Sequence, residues 1–290
     1  MDSILDALEQ WMRDFLIGAI TGNLSRMFSD VNARVDTIAG EVGKTPAEWN
    51  PGVFSMIDGL SRSVVLPIAG LVIAAVLTWE LIRMILERNN YHDIDTFLFF
   101  RWIGKAAVAA VLLNHTFDFI MAVFEVGQTM VRRSAGVIET GAHIDISSVL
   151  GDIQTRLQTM EVSELFALML ETWVVSFAMT VMGLCITVIL YGRMLEIYVF
   201  SSVGPLPFAT LASREWGSVG SNYIRGLAAL ALQGFLLMLC VGIYAVLVQS
   251  ISLSGEDLHG AIWTCAVYTV LLCFSMFKSG SVAKSILNAH

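Results

Sequence analysis

Five stretches of this 290-residue chain run for 17 residues or more without a charged side chain: 63–79, 172–192, 197–213, 226–255 and 260–277. An α-helix needs about 20 apolar residues to cross the ~30 Å hydrocarbon core of a bilayer, so runs of this length direct most of the chain into a membrane. Composition agrees. Residues of the set AVILMFWYC make up 56%, charged residues only 14%, and mean hydropathy is +0.71, against ~25% charged in a soluble domain. Scarce charge and a net value of −8 exclude a disordered chain, a disulfide-stapled secreted module and a basic nucleic-acid binder.

The first span is Ser63–Trp79, held between Arg62 and Glu80, with Trp79 where an interfacial aromatic belongs. The second, about Ala106 to Phe124, begins with small residues and then meets Asn114, His115 and Asp118. The third is Thr172–Gly192; the fourth lies within Gly226–Gly255 and the fifth is Gly260–Phe277. The remaining run, 197–213, is interrupted by Gly204-Pro205-Leu206-Pro207. Two prolines remove two backbone donors and bias the preceding residues away from helix. Such a break is tolerated at membrane depth only where protein or a water-filled cavity satisfies the freed groups. Gly204, Pro205 and Pro207 are therefore the candidate re-entrant break.

Outside the spans, residues 3–20 place Ile4, Leu8, Trp11, Phe15 and Leu16 on one helical face. A second stripe, Leu24, Met27, Phe28, Val31, Val35 and Ile38, follows the Thr21-Gly22-Asn23 interruption. Two amphipathic helices are expected, lying on the chain's own spans, on a partner or in the lipid interface. Gly40 to Pro51 reads as a loop. The polar 125–171 segment carries an amphipathic helix through Val149, Leu150, Ile153, Leu157 and Met160, and Ser163-Glu164 reads as the N-cap and first-turn acid of the next helix. Cys185, Cys240, Cys265 and Cys273 each lie in an apolar run and read as packing residues. The N-terminus has neither the basic n-region nor the apolar core of a cleaved signal, so the first residue is expected to be retained.

Basic residues orient the spans. There are 5 in 1–62, 4 in 80–105, 3 in 125–171, Arg193 alone, 2 in 214–225, none in 251–259 and 2 in the tail. Six crossings put Arg214, Arg225, Lys278 and Lys284 opposite the 80–105 loop, against the positive-inside rule. Five crossings with a re-entrant 197–213 gather these groups on one side. The expected fold is all-α: a polytopic helical membrane protein of about five transmembrane helices plus a Pro-broken re-entrant hairpin and N-terminal amphipathic helices. Its regions are 1–62, external helices and loop; 63–124, the first two spans with an inside loop; 125–171, an external loop; 172–277, a bundle containing 197–213; and 278–290, an inside tail. The N-terminus is outside and the C-terminus inside.

Few constellations suggest chemistry. Gly40-Glu41-Val42-Gly43-Lys44-Thr45 imitates a phosphate loop, but the glycine it needs is Ile38 and no strand precedes it. His92, Asp93 and Asp95 read as a solvated turn. Asn114, His115 and Asp118 are the candidate intramembrane polar residues; Asn114 and Asp118 are four apart and would share a helix face. They mark the outer end of the span, an interhelical hydrogen bond or an ion path. Gly70/Ala74 and Ala106/Ala110 have small-xxx-small spacing suited to close helix packing. Neither a catalytic set, a metal site nor a cofactor is implied.

The acidic start Ile4-Leu5-Asp6-Ala7-Leu8-Glu9-Gln10-Trp11, the Phe15-to-Leu24 segment, the Tyr91-His92-Asp93-Ile94-Asp95-Thr96-Phe97 loop and the Gly204-Pro205-Leu206-Pro207 break resemble, in order and over essentially the whole chain, the polytopic TrbL-like subunits of conjugative type IV secretion systems, in the branch carried by integrative conjugative elements of Gram-positive bacteria. The resemblance implies a non-enzymatic subunit in the bacterial cell membrane at the base of the translocation channel. Implied partners are other secretion subunits including motor ATPases, further copies of the chain, the lipid bilayer and single-stranded DNA as transient cargo. A small-solute transporter or ion channel is the alternative, suggested by the broken element and Asp118, although no internal repeat supports it. The 125–171 loop holds 3 basic and 7 acidic residues, so a single copy repels phosphates.

Overall fold

A computed structural model describes residues 2–86, 96–139, 146–251 and 258–289, and these are helical with no strand among them. Helix α1 is Asp2–Val42, α2 is Pro46–Trp49 and α3 is Pro51–Leu60. A π-helical segment Ser61–Val65 leads into α4, Leu66–Leu86. Then follow α5 (Thr96–Asn114), α6 (Thr116–Glu139), α7 (Ile146–Leu157), α8 (Val162–Val203), α9 (Pro205–Thr210), α10 (Gly217–Gln249) and α11 (Leu258–Ile286). Four helical stretches are long and apolar enough to cross a membrane: Pro51–Leu86, α8, α10 and α11. The pair α5/α6, bent by 68°, makes a fifth if it counts as one span. This matches the expected all-α fold of about five crossings.

Several local expectations change. The two N-terminal helices are one, because Leu16, Ile20, Leu24, Met27, Phe28, Val31, Val35, Ile38 and Val42 form an unbroken buried stripe through the supposed interruption. A mid-helix glycine costs only about 1 kcal/mol relative to alanine, less than burying one large side chain gains. Thr21 and Asn23 are also compatible with helix: Thr21 Oγ1 donates to Ile17 O at 2.7 Å, and Asn23 Nδ2 donates to Thr172 Oγ1 at 3.3 Å. The expected 40–51 loop is mostly short helices. Thr45 and Glu48 form a capping box at α2, and Asn50 Oδ1 accepts from Val53 N–H at 3.0 Å to start α3 at Pro51. Both are readable signals, T-P-x-E and N-P. The π-helical segment also has a local cause: Pro67 has no N–H to give, and Leu66 N–H reaches back five residues to Ser61 O.

The second span is not straight. Its two arms meet at His115 with the 68° bend, so Asn114 ends one helix and Asp118 lies in the first turn of the next. They do not share a helix face. In the 197–213 run, residues 197–203 are the last turns of the 42-residue α8, and after Gly204 the six-residue α9 follows, so the first arm of the expected hairpin is no separate element. Glu164 is the first-turn acid of α8, while position 163 is already helical and the cap falls at Glu161, whose N–H donates to Glu164 Oε2 at 3.3 Å. The 87–95 loop with Tyr91 to Asp95, and most of the 251–259 turn, lie outside the described residues.

The chain forms two compact units. Unit one comprises residues 1–42, 131–190 and 236–278. Its core joins the α1 stripe to Ile153 and Leu157 of α7, Leu165, Leu168, Val175 and Met179 of α8, and Leu237, Val241, Ile262 and Cys265 of α10 and α11. Unit two comprises 43–130, 191–235 and 279–290. Here α4 and α5 pack on α9, around Ala69, Ile73, Ile120, Phe124, Ile197, Phe208, Tyr223 and Leu227. Trp49, Ile57, Phe117 and Tyr198 extend the packing, and the Tyr198 hydroxyl donates to Pro46 O at 2.6 Å.

Close backbone approach within unit two occurs at Gly127, where an added Cβ would stand 2.9 Å from Ala231 O. The small-xxx-small pairs play no such role inside the chain: a Cβ on Gly70 meets nothing within 4 Å, and Ala74 and Ala110 are exposed. Accordingly, Gly127→Val is expected to destabilise the detergent-solubilised chain by about 1–3 kcal/mol through overpacking, read as a lower thermal midpoint, whereas Gly70→Ala leaves it unchanged or slightly higher. Equal midpoints for G127V and the parent would contradict the close α6–α10 contact.

Candidate functional site

The proline break is resolved as a succession of displaced hydrogen bonds. In an uninterrupted α8 the carbonyl of Ser201 would accept from residue 205, but Pro205 has no donor. Gly204 N–H takes that place, pointing at Ser201 O at 3.4 Å, which deprives Phe200 O of its own helical donor. The Tyr223 hydroxyl from α10 supplies the substitute, donating to Phe200 O at 2.6 Å. Ser201 Oγ donates to Ile197 O at 2.7 Å, and beyond the break Phe208 N–H donates to Gly204 O and Thr210 Oγ1 to Pro207 O. Helix α9 thereby begins at Pro205 with its fixed φ suited to a first turn.

Aromatic rings hold the donor in place. Tyr223 stacks on Phe200 with centroids 4.9 Å apart and planes within 6°, and meets Phe208 edge-on at 6.0 Å. Gly204 has ordinary right-handed dihedrals, so glycine is required there for space: a Cβ would lie 2.3 Å from Ile120 Cδ1 and 2.9 Å from the Tyr223 hydroxyl. Beside the break is a cavity of about 600 Å³ bordered by Val72, Phe200, Leu206, Pro207 and Tyr223, with Thr210, Asn222 and Lys284 as polar contributors. Lys284 Nζ donates to Glu196 Oε1 at 3.1 Å.

The polar trio of the second span divides between two roles. His115 occupies the bend; its N–H donates to Val111 O at 3.1 Å, and its carbonyl accepts from Phe119 N–H at 2.9 Å. Asp118, in the first turn of α6 where a negative charge is favoured, accepts from Arg62 Nη2 at 2.7 Å and lies 3.3 Å from His115 Nδ1. Arg62 also donates from Nε to Asp58 at 2.6 Å and covers the Phe117 ring. Asp118 thus links α6 to the start of the first span, while Asn114 ends α5 with its side chain exposed. Thr116, unmarked in the sequence reading, is buried at the bend and donates to Leu112 O or Leu113 O. A hydroxyl that back-bonds to its own helix is a known cause of bending.

Two arginines have burial that the charge count does not disclose. Arg34 sits within the apolar stripe of α1, three residues after Val31 and four before Ile38. Its guanidinium donates to Met179 O and lies 3.1 Å from where a Cβ on Gly183 would stand. Arg193 is only 5% exposed, among the apolar side chains of α8. Among the described residues, no three His, Cys, Asp or Glu side chains group as metal ligands; His92, Asp93 and Asp95 lie outside them.

A family model described as "TrbL/VirB6 plasmid conjugal transfer like protein" matches residues 31–205. No curated protein and no solved structure matches the chain.

Tyr223→Phe keeps the ring stack and removes one hydroxyl, leaving Phe200 O without its donor. A loss of about 1–3 kcal/mol is expected from that unpaired carbonyl. Asp118→Asn, at an ion pair whose side chains are 54% and 47% exposed, should cost less than about 1 kcal/mol. Thermal unfolding in detergent ranks the two; D118N more damaging than Y223F would reverse the assignment.

Proposed function

The chain belongs to the TrbL/VirB6 plasmid conjugal transfer-like family, whose model covers more than half of its 290 residues, and from that premise we propose that it is a non-enzymatic membrane subunit of a conjugative type IV secretion channel, scaffolding the channel base. The observation that carries this reading is the family match to a chain of four or five membrane-length helices. Supporting it, the polar side chains at both helix breaks engage neighbouring helices: Tyr223 serves α8, and Asp118 ties α6 to Arg62. Its partners are other secretion subunits, motor ATPases among them, with single-stranded DNA as transient cargo. The acidic 125–171 segment suits a wall better than a phosphate track, so charges that follow the DNA backbone come from partners.

The proposed membrane is the bacterial cell membrane, with the N-terminus outside and the C-terminus inside. The distribution of basic residues supports this orientation: with 197–213 re-entrant, Arg214, Arg225, Lys278 and Lys284 join the 80–105 loop on one side, as the positive-inside rule asks.

Deleting the gene in a donor cell should lower transfer to the level of a donor lacking its secretion ATPase, with recovery on complementation. Unchanged transfer would refute the proposed role. For orientation, Asn222→Cys should resist a membrane-impermeant thiol reagent in intact cells and react after permeabilisation; labelling from outside would overturn the topology.

A further inference from the structure

Within unit one, α1 packs on α7 and runs alongside the first half of α8 in the same direction. Arg13 Nη1 donates to Gln158 O and Met160 O, Asn23 to Thr172, and Arg34 to Met179 O beside Gly183. The second half of α1 therefore lies level with the uncharged 172–190 part of α8. There α8 turns Trp173, Val174, Phe177, Val181, Leu184 and Val188 outward, a surface fit for lipid chains. The outward side of α1 over the same length is different in kind. Arg26, Ser29, Asp30, Ala33, Asp36 and Thr37 are exposed at helical spacing, and no large apolar side chain is exposed between Phe15 and Met56. The stripe spans Gly22 to Gly40, roughly 28 Å, close to the hydrocarbon thickness.

Charged groups at that depth face a protein interior or a water-filled space. We propose that the polar stripe of α1 borders an aqueous passage through the membrane, closed by the equivalent stripes of further copies of this chain. One helix face is too narrow to enclose water, so the copies are part of the proposal. The proposal rests on the reading of the chain as a channel subunit, and its lining, with Asp30 and Asp36 against Arg26, is mildly acidic.

The test is thiol labelling of Ser29→Cys, Ala33→Cys and Thr37→Cys in cells by a charged, impermeant thiosulfonate, each measured over the parent with its native cysteines. Such reagents attack thiolate, which forms in water and not in hydrocarbon. The α1 positions should react on the order of tenfold faster than Val181→Cys and Val188→Cys on α8, and two differently tagged copies should co-purify. Inert α1 positions, or rates equal to those on α8, overturn the aqueous stripe. Labelling without co-purification overturns closure by like copies. Labelling is independent of DNA transfer, so a failure here is separable from a failure of the deletion phenotype, and the three small substitutions on an exposed face guard against a single misfolded variant.

Discussion

Every backbone donor and acceptor in hydrocarbon needs a partner inside the protein, and this requirement governs where the chain places its few polar side chains. At the proline break the deficit created by Pro205 passes from Ser201 to Phe200 and ends at the Tyr223 hydroxyl. At the His115 bend the Thr116 hydroxyl covers the carbonyls of Leu112 and Leu113. Arg13 and Arg34 cap the carbonyls of Gln158, Met160 and Met179. Each of these side chains serves main chain, which explains how a molecule with 14% charged residues tolerates two interrupted spans.

This division of labour decides what the sequence could disclose. Hydropathy is carried by contiguous residues, so the spans and the interruption at Gly204 are legible without any tertiary knowledge. The 68° bend at His115 is invisible to a hydropathy count, because both arms satisfy it equally; only the polar cluster marks the place. The union of the two N-terminal stripes depends on burial against α7, α8, α10 and α11, which overrides the local preference of Gly22 to interrupt. Tyr223 is 23 residues from the carbonyl it serves, and no local pattern announces such a pairing. The caps Thr45-Glu48 and Asn50-Pro51, by contrast, are local signals that the loop reading passed over.

The positive-inside count also gains meaning from burial. Arg193 and Arg34 are committed to packing, so they report less about orientation than exposed groups do. Arg214, Arg225 and Lys278, exposed and near helix ends, carry the proposed orientation instead. The acidic balance of the 125–171 segment fits the proposed subunit, which shapes a passage without binding a polyanion tightly.

Helix α1 brings these constraints together. In lipid, packing an apolar stripe against another apolar helix gains little, because acyl chains are as good a solvent for leucine as another leucine is. An amphipathic helix whose outward face holds Arg26, Asp30 and Asp36 would pay about 2.5–3.5 kcal/mol for each charge at the bilayer centre and receive no hydrophobic return. The same stripe becomes strongly favourable once the outward face meets water, because Leu24, Phe28, Val31 and Ile38 are then removed from water on packing. The depth set by Asn23 and Arg34 and the polarity of the opposite face are compatible only if water or protein reaches that depth. A solitary copy among lipids satisfies neither condition, whereas an assembly around a hydrated axis satisfies both.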